Sequence, residues 1–176
     1  MTRWLAVLPL LTLACIPTHV LRFEHLDQEA GPVTVVVHPV NCQADRTVSG
    51  VIYWVSEGLF TLTISNHTGD LISIDWDRSS FVDQSNLSHR IIHGGVWLRP
   101  RDQRLQVPTV VPAGAALQDA VFPTDRFNDR DDPLPIFLCD PGVVDTRYVL
   151  VLAYTRNGTE TQLLVPFRVS AFDIAR

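Results

Sequence analysis

A strict two-residue alternation between positions 60 and 77 limits this chain more than any other feature. Phe60, Leu62 and Ile64 are apolar where Thr61, Thr63 and Ser65 are polar. After Asn66-His67-Thr68-Gly69-Asp70 the pattern resumes, with Ile72, Ile74 and Trp76 set against Ser73, Asp75 and Asp77. Successive side chains of a strand point to opposite faces, so a period of two builds a sheet covered on one face only. Two such runs across a short polar loop make a hairpin. A second hairpin is marked more sharply, because strands 148–154 and 161–169 flank Asn157-Gly158, the dipeptide that best accepts the positive φ angles of a tight turn. Strand 148–154 is apolar on both faces and should be central. Pro166 lacks an N–H and should place its own strand near an edge or at a bulge.

Further strands are expected at 33–40, 47–55, 81–83, 87–93, 106–111 and 117–122, several of them separated by Gly, Pro, Asn or Asp. No segment beyond the N-terminus sustains a helical period, and the 12 prolines leave few windows for a three-turn helix. The chain is therefore expected to be all-β. About eight or nine short strands with regular turns fit an antiparallel immunoglobulin-like β-sandwich, with a small closed or partly open β-barrel as the alternative.

The N-terminus reads differently. Arg3 is followed by the apolar run 4–11 and then by Thr12-Leu13-Ala14-Cys15, the layout of a secretory signal. The run is too short to cross a bilayer, which takes roughly 20 apolar residues. Leu11-Thr12-Leu13-Ala14-Cys15 resembles the lipobox of bacterial lipoproteins, although Leu13 is bulkier than usual and Thr12 stands where Leu is common. The resemblance implies removal of 1–14 and a lipid on Cys15, hence a location at the bacterial cell envelope. Ile16 after the cysteine resembles a sorting signal for the outer membrane. Residues 15–32, which end in Gly31-Pro32, suit a tether, and 33–176 suit one compact domain.

If Cys15 carries lipid, Cys42 and Cys139 are left as a pair in an oxidising compartment. One disulfide is expected, with two buried thiols as the alternative.

Composition excludes several chemistries. All 14 basic residues are arginine, so Schiff-base catalysis, a phosphate-loop lysine and serine/lysine hydrolysis lack their essential side chain. A net charge of −5 with no basic run lacks the electrostatic footprint of a nucleic-acid binder. No nucleophile elbow, H-E-x-x-H or glycine-rich phosphate loop is present, so no catalytic residue and no cofactor are assigned.

His89 and His93 lie four apart. On a strand this separates them by about 13 Å, too far to share an ion. Asp75 and Asp77 share a strand face and Asp83 follows a short turn, which makes the three a weak calcium candidate, with solvated charges paired to Arg78 and Arg90 as the plainer reading. The loop 123–133 is acidic with interleaved arginines and is expected to neutralise itself at the surface. Asn66-His67-Thr68, Asn86-Leu87-Ser88 and Asn157-Gly158-Thr159 match glycosylation acceptors, which matter only in a eukaryotic source.

Several elements between 66 and 121 form a further pattern: Asn66, Ile74-Asp75-Trp76-Asp77, Ser80-Phe81-Val82-Asp83, Ser88-His89-Arg90 and Val111-Pro112-Ala113-Gly114. It is similar to one in uncharacterised envelope lipoproteins with an immunoglobulin-like β-sandwich, and implies that fold and location without any particular activity. The expected role is a non-catalytic interaction or structural module anchored to the membrane through its N-terminal lipid, facing an envelope protein partner. A periplasmic hydrolase or small-ligand-binding protein is the alternative. A deep pocket lined by convergent Ser, His and Asp would favour the alternative.

Overall fold

A computed structural model describes residues 19–26, 31–46, 52–56, 60–94, 105–125, 139 and 141–174, with 43–46 and 52–56 described by backbone alone. Cys15 and the expected signal lie outside the described residues, as does most of the acidic loop. The described chain is all-β. Its strands are β1 (His19–His25), β2 (Val33–Val37), β3 (Val40–Arg46), β4 (Ile52–Ser56), β5 (Phe60–Asn66), β6 (Ile72–Val82), β7 (Ser88–His93), β8 (Thr109–Val111), β9 (Ala116–Pro123), β10 (Arg147–Arg156) and β11 (Thr159–Ile174). A 3₁₀ turn, Pro141–Val143, precedes β10.

All pairings are antiparallel and form one path, β2-β5-β9-β7-β6-β10-β11-β1-β3-β4, with β8 attached to β6. The corner is β7. Its first half pairs with β6, through Ser88, His89 and Arg90, and its second half with β9, through Ile91, Ile92 and His93. The sheet curls through this shared strand into a half-barrel, closer to the partly open barrel than to the two separate sheets of an immunoglobulin-like sandwich. His25 ties the curled halves together, because its Nε2 accepts the N–H of Val37 on β2 at 3.1 Å. Burial holds His25 below its ordinary pKa, in the neutral form that accepts this bond.

The alternation read from sequence builds the core. Phe60, Leu62, Ile64, Ile72, Ile74 and Trp76 are fully buried, and they join Leu21, Leu150, Leu152, Val165 and Phe167 in one cluster. Burying each such side chain contributes about 1.5–3 kcal/mol, so residues from both halves of the sheet must share one dry interior. The turn at Asn157-Gly158 also forms as expected, with φ of 49° and 77° between the paired residues Arg156 and Thr159. As its apolar faces demanded, β10 sits centrally, between β6 and β11.

Several expectations change. The tether at 15–32 contains a strand, since His19–His25 pairs with both β11 and β3. Its alternation was too irregular to read, and its place comes from two distant ladders. The single strand expected at 33–40 is two, because the chain leaves β5 after a last backbone bond from His38 to Thr61 and joins β1 from Val40, breaking at His38-Pro39. The short strand at 81–83 is largely the end of β6. Pro166 lies in an internal strand and not at an edge. Its missing N–H falls where β1 runs out, and its carbonyl accepts the N–H of Leu26 at 2.9 Å.

Cys42 and Cys139 form the expected disulfide, with Cα atoms 5.9 Å apart and both residues buried. The bond spans 97 residues and ties β3 to the approach to β10. In the chain-entropy account, closing a loop of that length stabilises the fold by about 4–5 kcal/mol. Cys42→Ala and Cys139→Ala should each lower unfolding free energy by about 2–5 kcal/mol in denaturant titrations. The double variant should match either single one, because both remove the same bond.

Candidate functional site

Polar side chains gather where β6, β7 and the start of β8 meet. A register shift in the β6–β10 pairing, between Val151 and Ala153, places a bulge in β6. Ser79 bridges it, its hydroxyl donating to the Asp75 carbonyl at 2.7 Å and accepting the Ala153 N–H at 3.0 Å. The bulge also changes parity: Ile72, Ile74 and Trp76 face inward before it, and Ser79 and Phe81 after it.

That parity change separates the three carboxylates proposed for calcium. Asp75 faces outward and accepts the N–H groups of Asp77 and Arg78 at 3.1 and 3.3 Å. Asp77 is bound by Arg90 and by the backbone N–H of Gln106 at 2.8 Å. Asp83 falls on the inward parity and accepts the N–H groups of Ser85 and Leu87 at 2.8 and 3.0 Å. The three do not converge, and the described residues contain no cluster suited to a metal ion. The calcium expectation is corrected on that ground.

Gln106 is the link that the sequence concealed. Its side-chain amide donates to the Ile91 carbonyl at 2.9 Å and accepts the His93 N–H at 3.1 Å, so it hydrogen-bonds to β7 as a neighbouring strand would. Burial opposes ionisation of Asp77, yet the Arg90 guanidinium and the bonds from Gln106 outweigh it and hold the carboxyl below its ordinary value.

The two histidines of β7 each take their own carboxylates. His89 Nδ1 lies 2.6 Å from Asp125 and its Nε2 lies 3.0 Å from Asp83, with the ring almost wholly buried. Both nitrogens face acceptors, so the imidazolium is the form that satisfies both. Burial works against that charge, but the bonds and charges of Asp83 and Asp125 prevail and raise the His89 pKa. Asp83 is lowered in turn: burial opposes it, and the bonds from His89, Leu87 and Ser85 outweigh burial. His93 Nδ1 lies 2.9 Å from Asp119, and its ring stacks on Trp76 with centroids 4.9 Å apart. Sequence reasoning assigned Asp125 to a self-neutralising loop, whereas it closes the clamp on His89.

Two further sites are structural. Asn66 is buried, its Nδ2 donating to the carbonyls of Asp70, Val111 and Pro112 while its Oδ1 accepts from the Thr68 N–H and hydroxyl. This occupies the atom that glycosylation would use. Asp70 is held below its ordinary pKa by Arg156 and then by Asn157, which lock the β5–β6 turn to the β10–β11 turn.

On the outer face, the bulge opens a shallow cleft of about 180 Å³ beside Ala153, between Asp75 and Arg78 on one side and Glu160 and Gln162 on the other. Arg78 pairs with Glu160 across it, and the Asp75 charge adds a weaker attraction. Nearby, segment 105–111 leaves Leu105, Val107 and Val110 exposed by 86%, 77% and 56%. It runs into β8, which pairs with β6 on one side and has no strand on its other side among the described residues.

No family model matches the chain, and no curated protein matches it. Among solved structures it is similar to Northeast Structural Genomics Consortium target SoR45, at 14% identity and TM-score 0.42 over 80% of this chain and 87% of that one. It is also similar to the yjhA protein from Bacillus subtilis, at 15% identity and TM-score 0.38 over 73% of this chain and 77% of that one.

The clamp predicts a pH window. Because its folded pKa is raised above 6.5, His89 contributes stability fully below that value and loses it as pH climbs through the folded pKa. Asp83, lowered from 3.8, contributes above that value and loses its share as pH falls through its folded pKa. NMR titration should place the His89 midpoint above 6.5, and Asp83→Asn should move it down. A midpoint unchanged by Asp83→Asn would contradict the clamp.

Proposed function

We propose that this chain is a non-catalytic, lipid-anchored module of the bacterial cell envelope that engages an envelope protein. The supporting observation is the exposed apolar run Leu105, Val107 and Val110 beside the edge strand β8. Contiguous exposed apolar surface on a soluble domain marks an interaction site, and an open strand edge adds backbone groups for a partner to pair with. The lipobox-like sequence ending in Cys15 supports the anchor, with the protein held at a membrane and, from Ile16, at the outer membrane.

The alternative, a periplasmic hydrolase or small-ligand-binding protein, draws on the histidine–carboxylate pairs and the outer cleft. Two observations weigh against it. A catalytic histidine presents one nitrogen to its nucleophile, whereas both nitrogens of His89 are taken by Asp83 and Asp125. The cleft, at about 180 Å³, is also smaller than the roughly 300–1,000 Å³ of ligand pockets.

Cell fractionation tests the anchor: the parent chain should sediment with membranes and Cys15→Ser should become soluble, and an unchanged distribution would overturn it. A photo-crosslinking residue at Val107 should yield one discrete adduct in the native cells, and the same residue at the exposed Glu160 should not. Identical patterns at both positions would remove the case for the Leu105–Val110 surface.

A further inference from the structure

We propose that the β3–β4 hairpin is the part of the domain that docks on the phospholipid bilayer surface, an inference that rests on the lipid-anchored reading of Cys15. The register of three strands carries it. β1 enters the sheet at His19, four residues after Cys15. Four residues span at most about 14 Å, so an acyl-anchored Cys15 holds His19 within that distance of the headgroups.

β3 runs antiparallel to β1, with His19 opposite Cys42 and Leu21 opposite Val40. The residues after Cys42 therefore continue past the start of β1, toward the side from which the chain arrives. Arg46 lies four residues beyond Cys42, the same count that separates Cys15 from His19. At about 3.3 Å per residue, the hairpin projects about 13 Å past His19, which matches the reach of the linker. β4 follows the same course, pairing Ser56 with Cys42 and Ile52 with Arg46, so Ile52, Tyr53, Trp54 and Val55 all occupy positions beyond the His19 row.

Three further facts agree with a membrane at this end. Among the described residues β4 is the terminal strand of the path, and four consecutive apolar residues on an edge strand call for a cover. Tyr and Trp are the residue types enriched where bilayer meets water. β11 also finishes here, with Ile174 opposite His19 and 60% exposed. The hairpin ladder contains Asp45 and Arg46, one charge of each sign, so the surface it fits is a neutral phospholipid interface and not a specifically anionic one.

The test uses the lipidated full-length chain reconstituted into phosphatidylcholine vesicles with brominated acyl chains, read by tryptophan fluorescence. Emission should be quenched relative to plain vesicles. Trp54→Phe should reduce that quenching. Trp76 is fully buried and out of reach of the bromines. A chain that co-floats with vesicles yet emits equally in both, or a Trp54→Phe chain quenched like the parent, overturns docking while leaving the anchor standing. A chain that fails to co-float overturns the anchor, and this proposal with it.

Discussion

The fold depends on one shared strand. β7 hydrogen-bonds to β6 along its first half and to β9 along its second, and this lets a single antiparallel sheet cover both sides of one apolar core. Without that corner the inner faces of β5 and β6 would each expose a row of large apolar side chains, at a cost of about 1.5–3 kcal/mol for each one left in water. A strand that changes partners leaves backbone groups unpaired at the change. Gln106 supplies bonds to Ile91 and His93 there, and Asp77, bound by Arg90, holds Gln106 in place. The buried polar network is thus a consequence of the curl, since a buried donor or acceptor without a partner costs about 1–3 kcal/mol.

The same reasoning accounts for the histidines. His25, His89 and His93 all sit near places where the sheet bends or closes, and each is held by a different balance. His25 must be neutral to accept the Val37 N–H. His89 favours its charged form between Asp83 and Asp125. His93 lies on the indole of Trp76 and against Asp119. The seam and the clamp therefore answer to pH in opposite senses, which joins the architecture to its electrostatics.

The N-terminal segment and the architecture meet at β1. A segment that would have been a passive tether is instead an internal strand between β11 and β3. Any pull on the N-terminus is carried by two ladders and, through Cys42, by the disulfide. A lipid on Cys15, as proposed, would then orient the domain as well as retain it.

By itself the sequence determined the elements whose information is local. The alternation at 60–77 specified two one-sided strands, Asn157-Gly158 specified its turn through positive φ, and the cysteine count specified the Cys42–Cys139 pair once Cys15 was set aside. Tertiary structure decided what local pattern does not encode. The break at His38-Pro39 and the recruitment of His19–His25 come from pairing with residues more than a hundred positions away or on the opposite half of the sheet. The bulge in β6 moved Asp83 to the opposite parity from Asp75 and Asp77, so an apparent carboxylate cluster became three separate sites. The clamp on His89 joins residues up to 36 positions apart, a proximity that exists only after the sheet has curled.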